Sequence, residues 1–379
     1  MKMKKFDAVI IGGGIHGCSI ALHLAKIGLN LALIEKDRVG QHASGVNAGG
    51  VRRLGRDCEE IPIAQLASKL WHNIEELTED RCGFQVNDQI KVAESDRDLT
   101  KIKLRIKQLN NRGFFHEESL DRQELFKLLP ELSSHCLGGM IVRGDGYANP
   151  YRATQAFKRR AVKLGVKLFE KMEVLSVTKV NSDWHIQTKG ELFMTKVVVN
   201  CSGAWGNRIA QMLGDIVHLT PKAPMLMITS PLPRFVRPVV GSFSRVLSFK
   251  QFTNGTVMIG GGLLGLVKGP DLYTEIDLPQ LSEYAKSAAA LFPIMETATL
   301  VRSWAGIEGY TPDNLPIVGA GQRQGVFHAF GFSAHGFQLA PAIGQVMSEL
   351  IHNGQTRFSL DAFRVDRFTN AYAERDATK

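Results

Sequence analysis

Three groups of residues in this chain have types and spacings suited to chemistry. Gly12, Gly14 and Gly17 form a GxGxxG in "DAVIIGGGIHGCSIALHLAKIGLNLALIEK". The first glycine permits a tight turn, the second lets backbone approach a pyrophosphate, and the third allows close helix-to-strand packing. Near the C-terminus, "AFGFSAHGFQLAPAIGQVMSELI" sets Gly331, Ser333, His335 and Gly336 close together, and Ser333 with His335 has the look of a nucleophile and its base. Between these motifs stand isolated charged candidates: Arg52 and Arg53 after a glycine-rich loop, Lys250 in an apolar stretch, and Glu308 after "WAG".

Each group needs elements to position it. Ala8 to Ile11 reads as a strand buried on both faces of a parallel sheet. Ile15, Cys18, Leu22 and Ala25 recur at helical spacing, and Gly28 sits where a C-terminal cap belongs. Leu31 to Ile34 is a second apolar strand ending at Glu35, whose carboxylate is placed to accept from the hydroxyls of an adenosine ribose. The phosphate then sits on the helix N-terminus, with His16 a bystander at its edge. In "VVVNCSGAWGNRI", Gly203 and Ala204 let the chain pass close to the nucleotide, and Trp205 reads as packing. The C-terminal stretch reads as a strand from Val326, a glycine loop, and a helix beginning within 338–341. No acidic residue accompanies Ser333 and His335 in sequence, so the catalytic-dyad reading is set aside.

Composition narrows the classes. With 379 residues, 44% hydrophobic and 22% charged, the chain suits one large or two intimately joined domains. Its 46 Lys+Arg against 37 Asp+Glu are scattered, with no basic block interleaved with aromatics, so nucleic acid is not an expected partner. The excess suits acidic small molecules or solubility. Cys18, Cys58, Cys82, Cys136 and Cys201 lie far apart without zinc spacing, which predicts reduced, mostly buried thiols and no metal. No signal peptide or membrane span is read, and a cytoplasmic protein is expected.

After Glu35 comes "KDRVGQHASGVNAGGVRRLGR", a long Gly/Ser/Asn stretch where an NAD-binding domain would enter its next helix. Such a loop offers backbone N–H groups to a longer ligand. Together with "VIIGGGIHG", "IEK", "GDGYANP", "VVVNCSGAWG", "SWAGIEGYTPDNLPIVG" and "GFSAHGF" in this order, it resembles the D-amino-acid-oxidase-like (DAO) family of FAD-dependent oxidoreductases. The likeness is greatest to its glycine oxidase, sarcosine oxidase β-subunit and hydroxyproline or opine dehydrogenase branches, and covers nearly the whole chain.

The resemblance implies FAD as cofactor and an α/β fold. A Rossmann-like FAD-binding domain (GR2-type) would be built from 1–85, 140–215 and 300–379. A smaller α+β substrate domain on an antiparallel sheet would come from 86–139 and 216–299. By position, Gly12, Gly14, Ile15, His16 and Gly17 would lie at the pyrophosphate and Glu35 and Lys36 near the ribose. Ser44, Gly45, Asn47, Ala48 and Gly49 would follow the pyrophosphate and ribityl chain, and Val174 matches the family's adenine-contacting position. Gly203 completes one half of the cofactor site, and Gly331, Phe332, Ser333, His335, Gly336, Phe337 and Gln338 the other. There a helix N-terminus would stabilise charge on the reduced flavin. The family usually has Gly at Ala334 and sometimes Lys at Gln338.

Residues 97–112 and 121–129 read as helices with solvated basic faces, and "VLSFKQFTNGTVMIGGG" as two strands around Asn254 and Gly255. "YTPDNLPIVG" reads as turn chemistry, leaving Asp313 without a catalytic role.

The resemblance implies hydride transfer from the carbon beside an amine nitrogen to flavin N5, giving an imine. Glycine-oxidase-like members carry a carboxylate-binding Arg where Glu308 stands here. Arg52 and Arg53 are therefore the candidate carboxylate clamps, each equally read as a structural or phosphate-neutralising arginine. Glu308 is open to holding a cationic or secondary amine, acting as base, or sitting in a buried ion pair. The oxygen-activating lysine of monomeric sarcosine oxidases falls at Met258, and no cysteine near Tyr310 offers covalent attachment. A dehydrogenase is thus favoured over an oxidase, unless Lys250 supplies the cation. Expected partners are a small amine or amino-acid substrate of sarcosine, hydroxyproline or opine type and an electron acceptor, oxygen or a carrier. A homo- or hetero-oligomer is left open. The alternatives are a 2-hydroxy-acid or glycerol-3-phosphate type flavoenzyme and an FAD-binding subunit of a hetero-oligomeric dehydrogenase.

Overall fold

The computed structural model describes residues 3–368. The last part of the segment assigned to 300–379, residues 369–379, lies outside the described residues. Two large sheets organise the chain. The first has six strands in the order Lys167–Phe169, Leu31–Ile34, Ala8–Ile11, Val197–Asn200, Val326–Phe330 and Ile317–Ala320, parallel except for the last. The period-two alternation of these strands explains its layering. Ala8, Ile10, Leu31 and Leu33 face a helical layer, while Val9, Ile11, Ala32 and Ile34 face a four-stranded sheet carrying Trp184, Ile186 and Phe193. Both faces are therefore covered, as an apolar parallel sheet requires.

The helical layer holds Ile15–Lys26 between Pro150–Lys163 and Gly336–Asn353. Gly344 makes the second contact close: a Cβ there would lie 2.1 Å from Ser19 Oγ. The first helix ends as its sequence indicates, with Gly28 left-handed (φ +87°) and donating to the Ala25 carbonyl.

The second sheet has eleven strands, almost all antiparallel, around the ten-residue Thr220–Thr229. Ile90, Val92, Met227, Phe249 and Ile259 on this sheet share a core with Leu281, Tyr284 and Leu291 of the helix Leu278–Leu291. Ser248–Gln251 and Val257–Gly260 form the expected hairpin, with Gly255 left-handed at its turn (φ +87°). Asp96–Asn111 and Arg122–Leu128 are the two expected helices, capped by Ser95 and by an Asp121–Glu124 capping box. Leu300–Ala305 and Glu308–Tyr310 pair with Thr220–Thr229, so residues 300–310 run on this sheet and not with the parallel one. Gly138–Val142 likewise pairs with Gln89–Ala93 on the large sheet. Among the described residues no helix is long and apolar enough to cross a membrane.

Candidate active site

A cleft of about 760 Å³ runs from the carboxyl ends of Ala8–Ile11 and Leu31–Ile34 to the face of the large sheet. Carboxyl strand ends are where ligands bind in open α/β sheets. At Gly12 the chain turns with φ +110°, and a Cβ there would lie 2.4 Å from the Cys201 carbonyl oxygen, so only glycine fits. Gly14 caps the helix Ile15–Lys26 without a side-chain partner. The Ser44 hydroxyl accepts from the Ile15 N–H at 2.9 Å, which ties the glycine-rich loop to that helix start. Glu35 is buried and accepts from the Gly13 and Asp37 N–H groups at 2.6 and 2.8 Å. It thus braces the turn, and it lines the cleft.

Lys36 pairs with Asp37 at 2.7 Å and lies 4.0 Å from the Trp205 ring centroid. Trp205 itself lines the cleft beside His42, so this residue, read from sequence as packing, is a wall of the site. A Trp in the turn after a strand of the parallel sheet was the available signal. Val174, Gly203, Asn47, Ala48 and Gly49 line the same cleft, as do Gly331 to Phe337 at its other wall. At Gly203, left-handed at φ +56°, nothing lies within 4 Å of a Cβ, so a side chain would project into open cleft. An elongated cradle edged by glycines, with a helix N-terminus on one flank, fits a dinucleotide.

Gly17, Gly45 and Gln338 do not line the cleft. Gly17 and Gly45 serve packing: their Cβ positions would lie 2.0 Å from the Gly12 and Gly40 carbonyl oxygens. Gln338 is turned away, accepting from Arg56 at 3.1 Å and donating to the Ala64 carbonyl at 2.8 Å. The C-terminal helix starts at Gly336, earlier than expected, because His335 ends the loop as N-cap without any side-chain cap to mark it. Ser333 and Ala334 are left-handed (φ 49° and 67°), which accounts for a glycine preference at Ala334.

Ser333 and His335 do not meet. Ser333 Oγ accepts from the Thr311 N–H at 3.2 Å, whereas His335 Nδ1 lies 3.1 Å from the buried Glu60 carboxylate. His335 thus has an acidic partner that its sequence neighbourhood lacks. Arg56 completes this network by donating to the His335 carbonyl at 3.0 Å, with Glu60 3.6 Å away. His16 stacks on Phe332 with ring centroids 3.6 Å apart, and burial drives its pKa down to about 3, so it is neutral.

At the far end of the cleft stand the charged candidates. Arg53 is not among them: its guanidinium is held by Asp145 at 2.8 Å and by the Arg143 carbonyl, a structural pair. Arg52 lines the cleft and donates to the Leu54 carbonyl at 2.5 Å. Lys250 is 4% exposed, contacts the Ala48 carbonyl, and is lowered by burial to about 7. Met258, its cross-strand partner, does not reach the cleft. Glu308 opens onto the cleft with no salt-bridge partner among the described residues, and burial raises it to about 7 against an opposing contact from the Ala334 backbone. Asp313 is paired with Arg367 at 2.9 Å, in keeping with a turn role.

Comparison with known proteins agrees with this geometry. The family model DAO, "FAD dependent oxidoreductase", matches residues 7–350. Glycine oxidase of Geobacillus kaustophilus is 27% identical over 388 residues, spanning 96% of this chain and 97% of that protein. Mitochondrial dimethylglycine dehydrogenase of Rattus norvegicus is 26% identical over 405 residues, which are 98% of this chain but 46% of that protein. Among solved structures, L-proline dehydrogenase from P. horikoshii superposes with a TM-score of 0.90 at 28% identity, covering 98% of this chain and 99% of that one. The glycine turn, the cleft it edges and the match over most of the length place this chain in the DAO family of FAD-dependent oxidoreductases.

Proposed function

We propose that the chain oxidises an amine or amino acid whose nitrogen is presented at the Glu308 end of the cleft. Glu308 carries this reading: a carboxyl in the cleft with no salt-bridge partner among the described residues, raised to about 7, is divided between its acid and base forms near neutral pH. That suits a group that must take the proton from a substrate ammonium before hydride can leave. When bound, FAD supplies a hydride acceptor at N5 for the carbon next to that nitrogen, and the product is an imine that water hydrolyses.

The other residues orient and stabilise. Arg52 pairs with the substrate carboxylate through its planar fork and so fixes the reacting carbon. Gly336 brings the first turn of Gly336–Asn353 to the cleft wall, where its free N–H groups favour negative charge. Gly12, Gly14, Ile15, Ser44, Asn47, Ala48 and Gly49 hold the pyrophosphate and ribityl chain, Glu35, Lys36 and Trp205 the adenosine. Residues 1–85, 140–215 and 300–368 supply most of this cofactor half, with the strands in 300–310 serving the substrate wall.

A carboxylate at 308 opposes the carboxylate of a simple amino acid held at that point and favours a nitrogen that arrives as a cation, including a substituted one. The names dimethylglycine dehydrogenase and L-proline dehydrogenase, an N-substituted and a cyclic amine, support that class. Anaerobic mixing of the holoenzyme with D-, N-methyl and cyclic amino acids tests the proposal. Flavin bleaching is expected with at least one, faster as pH rises through about 7, where Glu308 becomes the base form. Bleaching by hydroxy acids alone, or by none of these, overturns it.

A further inference from the structure

Most basic side chains around the substrate end of the cleft are neutralised by a carboxylate of the protein. Arg53 pairs with Asp145 at 2.8 Å, Arg105 with Glu117 at 2.8 Å, and Arg245 with Glu94 at 2.8 Å. Arg56 has Glu60 at 3.6 Å. Two are left over. Arg52 makes one hydrogen bond, to the Leu54 carbonyl, and no carboxylate of the described residues lies within 4 Å of it. Lys91, on the strand Gln89–Ala93, rests 4.4 Å from the Phe243 ring centroid and likewise has no acid partner among the described residues. Both line the same cleft. Glu60, Asp145 and Glu117 attract Arg52, and Glu117 attracts Lys91, only from beyond ion-pair distance, because each of these acids is held closely by another cation.

Withdrawing a cation from water without a close counter-charge of its own is costly, and placing two in one cleft adds their repulsion. Burial first, and then the nearby Arg52, hold Lys91 below the usual lysine range. One arginine suffices for one carboxylate. The pyrophosphate does not account for the second charge, since Ile15 and Ser44 hold its end of the cleft, whereas Lys91 stands on the large sheet.

We propose that Arg52 and Lys91 form a two-cation clamp for an acid end carrying two negative charges, with Lys91 as a specificity-determining residue. The substrate class is then an amine bearing two carboxylates: a secondary amine flanked by both, or an amino acid with a carboxylate side chain. This deepens the reading above and takes its Arg52 and Glu308 roles from it.

The test does not need turnover. The oxidised holoenzyme is titrated with malonate, succinate and glutarate against propionate, butyrate and valerate, following the flavin visible spectrum. At least one dicarboxylate is expected to bind ten-fold or more tightly than the monocarboxylate of equal length, which is about 1.4 kcal/mol. In Lys91→Met that ratio is expected to fall below three-fold, and Lys91→Arg to restore it. Equal binding of the two series by the unmodified enzyme, no spectral response to either, or an unchanged ratio in Lys91→Met overturns the clamp. Because the ligands are not oxidised, failure here is separable from failure of amine oxidation: bleaching by amines with no dianion preference refutes only the clamp, and a dianion preference without bleaching by any amine refutes only the reaction.

Discussion

Replacing Glu308 by Gln keeps the shape of the side chain and removes its charge, and two measurable consequences follow. The first is on folding. Glu308 is held near 7 in the folded protein against an ordinary 4.5, so the folded state keeps a proton that the unfolded chain has released between those values. Its contribution is therefore most favourable below about pH 4.5 and declines as pH rises through the folded value. The difference of 2.5 (7 − 4.5) corresponds to about 3 kcal/mol at 1.36 per unit, an upper bound because the cleft admits water. Glu308→Gln apoprotein should thus gain stability over the unmodified apoprotein at pH 8 and little at pH 4.5, by urea unfolding at both values. The second consequence is on rate. If the carboxylate takes the substrate proton, flavin reduction in stopped flow should rise with pH through a midpoint near 7 to a plateau above it. The variant should lose that inflection and fall by about 10²–10⁴-fold. A variant that keeps the inflection and reduces flavin within three-fold of normal would refute the base role, and one with no pH-dependent stability gain would refute the burial argument.

Other residues make sharper contrasts. Arg53→Met should lower stability by about 3 kcal/mol by stranding the buried Asp145, while Arg52→Met should leave the melting temperature near normal and raise KM. Measuring both properties for both variants checks the assignment. Lys250→Met should slow reoxidation of the reduced enzyme by oxygen, and in the unmodified enzyme that rate should drop as pH rises through about 7, where Lys250 loses its proton; rapid-mixing oxidation curves decide it. Ala334→Gly should stabilise the protein by about 1 kcal/mol by relieving a left-handed alanine, read by thermal unfolding.

The parts of this molecule that were legible in sequence are those whose physics is local. The stretch from Ala8 to Glu35 reads almost residue by residue, because a buried parallel strand, a glycine turn and a helical period each leave their own pattern. The hairpin around Gly255 and the capping box at Asp121 are similarly local. What sequence could not tell is which distant partner claims a side chain. Arg52 and Arg53 are adjacent and chemically alike, yet Asp145, more than ninety positions away, takes one and leaves the other in the cleft. Glu60 reaches His335 from across the chain, and Arg56 turns Gln338 away from the cofactor wall. Strands in 300–310 carry no mark of the sheet they join, because a ladder of backbone hydrogen bonds is indifferent to which edge supplies it. Lys91 sits in an ordinary strand, and only its place on the cleft wall without an acid singles it out.

The chemistry proposed for this chain is removal of hydride from the carbon beside an amine nitrogen. The most direct measurement is anaerobic stopped-flow reduction of the bound flavin by a bleaching amine, with that carbon carrying either hydrogen or deuterium. A clear slowing of the reduction rate constant by deuterium is expected, with one equivalent of carbonyl product per flavin reduced. Flavin reduction that is indifferent to deuterium at saturating amine and to the protonation state of the nitrogen, or that occurs only with hydroxy acids, would contradict it.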